Sequence, residues 1–398
     1  MYQLETVSSI EDIDKDEWDR MIDGHALASH GWLKTVERTS IDDLDPRYII
    51  LRDGTDLVAG TVCYLSRSSH RSLTLDNFMF GRLKFVAEGL GLTFLPSLIC
   101  GPLNCMGKHF LVDSTVSDTT RRQLIRTLLD ALDCIASRFA SSLCFSYLFE
   151  DEADILTLLK ARGYSTTVVF PACYLDVEWS SFQGYLAYLK GLSKNAAKQV
   201  RKDLNRNRKA GVEVERIRDA ASYQSRLFEL ADKHWYKYNQ LRFPYKPDFF
   251  AEVQDNFGDD AVIYGAFKDS VLIGFMLLLR MGQTGHALEV GVDHELSQRD
   301  ATYFNIVYYR PIADAIGQQI QRLYFGRGLP ETKMRRGCKR RPSYLCYKAK
   351  SRFKNNALRA WFLIHARWTR RKVARQTRFV PRIGQARRMV PVSSQPPN

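Results

Sequence analysis

Apolar and polar residues alternate over Arg47–Arg52 and again over Leu57–Tyr64, and Asp53-Gly54 between them is a turn signal. This stretch predicts a β-hairpin. The period then changes. Leu124, Leu128, Leu129, Leu132, Ile135 and Phe139 fall three and four apart within Thr119–Phe139, the spacing of one helix face. Helices are also predicted over Ser9–Met21, from Ser29 onward, and over Ala153–Arg162, where Gly163 supplies a C-cap. Ser97–Cys100, Leu143–Leu148 and Val168–Val177 read as strands. The result is a mixed α/β unit over residues 1–180.

The pattern recurs over residues 181–340. Helices are predicted at Ser181–Lys190, Ser193–Lys209, Ala220–Tyr238 and Phe304–Gln318. Strands are predicted at Val212–Ile217, His286–Val292 and Arg322–Phe325. A second hairpin joins Ala261–Phe267 to Leu272–Arg280 through Lys268-Asp269. Each half places a hairpin ahead of a long helix and a further strand, although no sequence segment repeats.

Charge divides the chain at a different point. All 44 acidic residues lie at or before Glu331, which leaves the first 331 residues at −6 and the last 67 at +20. Residues 341–398 therefore read as a basic tail. Phe353, Ala357, Trp361, Ile364 and Trp368 would form one face of an amphipathic helix over about 352–372, followed by a disordered end. Such a tail suits an anionic membrane surface, a tRNA backbone or docking on the acidic globule. The eight cysteines show neither CxxC nor zinc-ligand spacing, so reduced thiols and no metal are expected. The acidic start lacks a leader pattern and no run is long enough to span a bilayer, which fits a cytoplasmic protein.

Four segments carry a resemblance. These are SHGWLKTVE, FQGYLAYLKGLSKNAAKQVRKDLNRNRKAGVEVERI, YKYNQLRFPYKPDFF and YFGRGLPETKMRRG, in that order over residues 30–340. Together with the element order they resemble the GNAT acyltransferase superfamily, in its FemAB-like tandem branch. The resemblance implies two GNAT-like domains, with a basic interdomain helix at 193–209. It also implies a transferase with no bound cofactor, whose co-substrate is acyl-CoA or aminoacyl-tRNA. The acceptor would be an amine on a small molecule or a cell-wall precursor.

Candidate site residues follow from both sources. In YFGRGLPETKMRRG, glycines Gly326 and Gly328 at a strand end free backbone amides, and Lys333 and Arg327 suit phosphate. The resemblance implies that Lys333 holds it. Lys198 and Arg201 share a cationic helix face. Gln298 and Arg299 stand where GNAT enzymes carry a glycine-rich pyrophosphate loop, but no glycine follows and Asp300 opposes an anion. Glu289 sits where GNAT enzymes place a general base, with Ala287, Glu289 and Gly291 expected on one strand face. Tyr303 could protonate the leaving group.

Three functions stay open: an acyl-CoA-dependent N-acyltransferase, ranked first; a FemAB-like aminoacyl-tRNA-dependent transferase; and a non-catalytic module that binds an anion or nucleic acid.

Overall fold

The computed structural model describes residues 2–41, 44–67, 75–150 and 152–376. Thirteen strands form one sheet: β1 (Gln3–Val7), β2 (Asp45–Asp53), β3 (Asp56–Ser66), β4 (Ser97–Cys100), β5 (Leu111–Val112), β6 (Ser142–Phe149), β7 (Ser165–Asp176), β8 (Glu213–Ile217), β9 (Ala261–Lys268), β10 (Val271–Met281), β11 (Thr284–Val292), β12 (Arg322–Tyr324) and β13 (Lys339–Ala349). Their order is β1-β2-β3-β4-β6-β13-β7-β12-β11-β10-β9-β8, with β5 on β3. Among the described residues only β4–β6 and β11–β12 pair in parallel.

The two halves are related in architecture, and their closing strands are exchanged. β7, from the first half of the chain, pairs with β12 of the second, while β13, near the chain's end, pairs with β6 of the first. β7 and β13 also pair with each other, which makes the sheet continuous. The start of the expected basic tail is therefore wrong. Residues 341–349 belong to a central strand whose Ser343, Leu345, Cys346, Tyr347 and Ala349 are buried.

Helices cover both faces. Serine side chains begin several of them, as the sequence allows: Ser29, Ser117 and Ser181 accept from Trp32, Thr120 and Gly184 amides. One apolar cluster runs along a single face of both halves, from Trp18, Trp32 and Ile50 to Leu230, Phe250 and Leu277. The opposite face holds two clusters, one per half, under the 118–139 helix and under the 182–192 and 196–209 helices. Alternation along each strand produces this division: Leu277 and Leu279 face one side, Met276 and Leu278 the other. Gly291 lets the 224–239 helix approach β11, since a Cβ there would lie 2.6 Å from the Leu230 carbonyl carbon.

The final helix, Arg352–Gln376, lies against β7. Its buried stripe is Leu358, Phe362 and Thr369, not the predicted face. Trp361 alone of that face is half-buried, whereas Phe353, Ile364 and Trp368 are exposed. Thr167 of β7 fixes this rotation by donating to the Phe362 carbonyl and meeting His365 Nδ1 at 3.1 Å. The predicted disordered end lies outside the described residues. No helix among the described residues is long and apolar enough to cross a membrane.

A chain ended after Gly337 loses β13 and leaves β6 and β7 with unpaired central edges. It is expected to show no cooperative melting transition by circular dichroism. A transition within a few degrees of the full chain would mean that β13 is dispensable.

Candidate functional site at the junction of the two halves

β11 and β12 pair only over Thr284–His286 and Arg322–Tyr324. Beyond that point β11 continues to Val292, while the other chain turns at Gly326 toward β7, with Cys173 N–H donating to the Gly326 carbonyl at 2.9 Å. The strands part, and side chains from both halves collect on the face below the gap. His286 stacks on Tyr324 at 4.7 Å, His25 lies 4.6 Å from His286, and Tyr174 lies 6.3 Å from Tyr324. Burial holds the His25 imidazole down to about 4 and His286 well below its usual value, so both are neutral.

Beside this aromatic ladder opens a cleft of about 430 Å³, lined by Glu150, Tyr174, Arg322, Tyr324, Arg340, Arg341 and Pro342. The Arg322 guanidinium lies 4.7 Å over the Tyr174 ring, and Arg341 3.8 Å over Phe149. Asp176 joins Arg322 and Lys339, each at 2.6 Å. Burial alone would raise the Asp176 carboxyl, but these two hydrogen bonds hold it below its usual value. Four cations, Arg322, Lys339, Arg340 and Arg341, against the Glu150 and Asp176 carboxylates give the cleft walls a positive potential suited to an anionic ligand.

Glu289 lies on the same sheet face as Tyr324, on the diverging part of β11. A bulge at Leu288 changes the expected alternation: Glu289 pairs with Leu277, but Ala287 pairs with Leu278. Ala287 therefore joins Val290 on the opposite face, and Leu288 turns to the side of Glu289. Glu289 is buried, and Trp235 Nε1 donates to its carboxylate at 2.9 Å. Burial pushes its pKa up to about 7, against the smaller opposing effect of the Trp235 bond. A carboxyl that ionises near neutrality has the affinity a general base needs.

Lys333 does not stand ready for a phosphate. Its ammonium donates to the carbonyls of Phe325, Gly326 and Arg327 at 2.6, 3.1 and 2.7 Å, which uses all three of its N–H donors. Burial lowers its pKa. Lys333 is a clamp on the loop that leaves β12. Gly326 and Gly328 give that loop its left-handed turns (φ +64° and +81°). Arg327 carries the loop across to the other half. Its guanidinium lies 3.5 Å from the Tyr147 ring centre and donates to the Tyr147 hydroxyl at 2.5 Å. Tyr147 itself has φ +68° at a bulge in β6, a strained position for a tyrosine.

The remaining candidates lie elsewhere. Gln298 and Arg299 are exposed in the turn before the Thr302–Phe304 helix. Asp300 Oδ1 accepts from the Thr302 amide at 2.9 Å, and its buried Oδ2 has no partner among the described residues. Tyr303 packs with Phe304 and Tyr308 on the opposite face of the sheet, so β11 separates it from Glu289. Lys198 and Arg201 are exposed on the 196–209 helix, with no carboxylate within 4 Å among the described residues. The buried side of that helix carries Asp203 and Asn207 as well as Val200. Asp203 accepts from Tyr309 at 2.7 Å, and Arg336 approaches it at 3.6 Å. Tyr309 ends a π-helical turn, Asn305–Tyr309.

The structure thus places Arg327 across the junction and Glu289 on the diverging part of β11, and leaves Lys198, Arg201, Gln298, Arg299 and Tyr303 elsewhere. Sequence reasoning missed Tyr174, Tyr324, Arg322, Arg340, Arg341, His25, His286 and Tyr147. Arg340-Arg341 could have been noticed as a cationic pair inside an alternating stretch.

A profile of the FemAB-like family, described as peptidoglycan biosynthesis/recognition, matches residues 9–381. The chain belongs to this family. No curated protein sequence matches it. Among solved structures, FemX is 13% identical with a TM-score of 0.54, covering 86% of this chain and 96% of its own. L-PGS from Bacillus licheniformis is 12% identical with a TM-score of 0.53, covering 92% and 98%. The C-terminal domain of a putative lysylphosphatidylglycerol synthetase from Agrobacterium fabrum is 11% identical with a TM-score of 0.51, covering 86% and 94%. At these identities the likeness establishes a common fold.

Two predictions test the site. The raised Glu289 pKa means that the folded state prefers the neutral acid, a contribution complete below 4.5 and lost as pH rises through about 7. Glu289→Gln should match the parent's stability near pH 4 and exceed it above about pH 8, by on the order of 3 kcal/mol. Urea titrations at both pH values measure this, and a gap that does not grow with pH would refute it. Lys333→Ala should cost about 2–3 kcal/mol by exposing three clamped carbonyls. Unchanged stability would return Lys333 to the role of a ligand group.

Proposed function

We propose that this chain forms an amide bond by transferring an aminoacyl group from a tRNA carrier to an amine whose molecule also bears an anionic group. The transferase class follows from the family, and the donor and acceptor are our inference. The acceptor's anionic group would sit in the arginine-lined cleft beside Tyr174 and Tyr324. Its ammonium would lose a proton to Glu289, and the resulting amine would attack the ester carbonyl. The tetrahedral intermediate would expel the 3′-terminal ribose oxygen, which leaves as a hydroxyl on taking up the second amine proton. No nucleophilic side chain is needed, since the amine attacks directly.

The Asp300 cap carries the choice of donor. Acyl-CoA, ranked first as the commonest donor of the superfamily, would need amides at the helix start to hold its pyrophosphate. Here the Asp300 carboxylate already occupies the Thr302 amide and opposes a second anion. A tRNA would find its cations instead on the exposed face of the 196–209 helix, where Lys198, Arg201 and Lys202 project, with the exposed Lys194 just before it.

Binding separates the two donors. Bulk aminoacyl-tRNA should raise the melting temperature at about 50 mM salt and lose most of that effect at about 200 mM. At roughly 100 times the dissociation constant the stabilisation would be about 2.7 kcal/mol. Lys198→Glu with Arg201→Glu should weaken binding at least tenfold. Stabilisation by acetyl-CoA alone, or tRNA binding indifferent to salt, would overturn the proposal.

A further inference from the structure

The Arg352–Gln376 helix carries apolar side chains on two sides. Leu358 and Phe362 pack inward, as described above, while Phe353 (83% exposed), Ile364 (68%), Leu363 and Trp368 project outward. Eight lysines and arginines and no acidic residue share the helix with them. The Lys372 ammonium lies 4.7 Å over the Trp368 ring, its stem covering the indole.

A second apolar outcrop adjoins this helix. Phe85 and Leu90, at the Lys84–Gly89 helix, are more than half exposed. The segment that carries them is tied to the final helix at two points. Phe78 lies 5.1 Å from Trp361 and 4.7 Å from His365. Lys354 Nζ donates to the Thr93 carbonyl at 2.6 Å. Two elements distant in sequence thus hold bulky apolar groups in water beside a dense set of cations.

We propose that this surface docks the protein on an anionic lipid bilayer. The final helix would lie in the interface plane, with Phe353, Ile364 and Trp368 among the acyl chains and its arginines at the lipid phosphates. Charge selects this occupant over the others. A two-fold contact with a second copy would set the eight cations of one helix against eight of the other. A nucleic acid would engage the arginines and leave Phe353, Leu363 and Ile364 in water. The orientation also has a consequence. Lys372 lies 5.3 Å over Phe170, on the strand that carries Tyr174, so the docked helix would run toward the arginine-lined cleft. The surface stands apart from the transfer chemistry and does not depend on which donor is used.

Sedimentation of the full-length protein with vesicles tests this. Vesicles of phosphatidylcholine with about one-third phosphatidylglycerol should bind it at least about tenfold more tightly than phosphatidylcholine alone. The triple variant Phe353→Ser, Ile364→Ser, Trp368→Ser should lose about tenfold of that binding. Because these side chains face water, its melting temperature should be unchanged. Arg367→Glu with Arg371→Glu should abolish the preference for anionic lipid. Three results would overturn the proposal: no vesicle binding by the parent, undiminished binding by the apolar triple variant, or a parent dimer in light scattering that the triple variant dissociates.

Discussion

The β7–β13 ladder is the interaction on which the rest of the structure depends. Each of these strands closes the half of the sheet that the other end of the chain began, and their pairing runs from Lys339↔Tyr174 to Tyr347↔Ser165. A sheet interior cannot leave its amides and carbonyls unpaired without large cost. The exchanged strands therefore bind the two halves into one body, and the halves cannot be separated at any single position in the sequence. The junction also places Tyr174, Tyr324, Arg322, Arg340 and Arg341 side by side, though they lie as far as 167 positions apart. The cleft is a direct product of the strand exchange.

The same junction explains why β11 and β12 part. Phe325 and Gly326 turn away to pair with Cys173, and the Lys333 ammonium gathers the three carbonyls that the turn exposes. A buried cation with three backbone acceptors is a well-satisfied group, and it fixes the loop without a ligand. Arg327 then ties the loop to Tyr147 in the other half. The gap below is held open by backbone geometry.

Much of this was legible in the sequence. Both hairpins, the helix predicted at Thr119–Phe139, and the order of elements in each half follow from period and turn residues. The family resemblance rests on the same order. What was not legible has specific physical causes. β13 was hidden because Lys339, Arg340, Arg341, Lys348 and the intervening Pro342 look like tail composition, while the alternation of buried Ser343, Leu345 and Tyr347 is short. Ala287 and Leu288 were assigned to the wrong faces beside Glu289 because a one-residue bulge inverts alternation locally and leaves no mark in composition. Lys333 was read as a ligand because its partners are backbone carbonyls, which no side-chain pattern announces. The final helix has two apolar sides, and periodicity alone favoured the one with two tryptophans.

The +20 of the last 67 residues also acquires a physical division. Part of it is neutralised inside the fold: Lys339 pairs with Asp176, Lys348 with Asp133, and Arg336 approaches Asp203. Part faces the cleft through Arg340 and Arg341. Eight more lie on the final helix, which carries no acidic residue, and four lie beyond the described residues. Simple docking of a basic tail on an acidic globule would have consumed these charges at the contact. Instead the contact surface of that helix is Leu358, Phe362 and Thr369, and its arginines point away. Charge that folding leaves unpaired, next to apolar groups that folding leaves uncovered, defines a surface whose complement lies outside the chain.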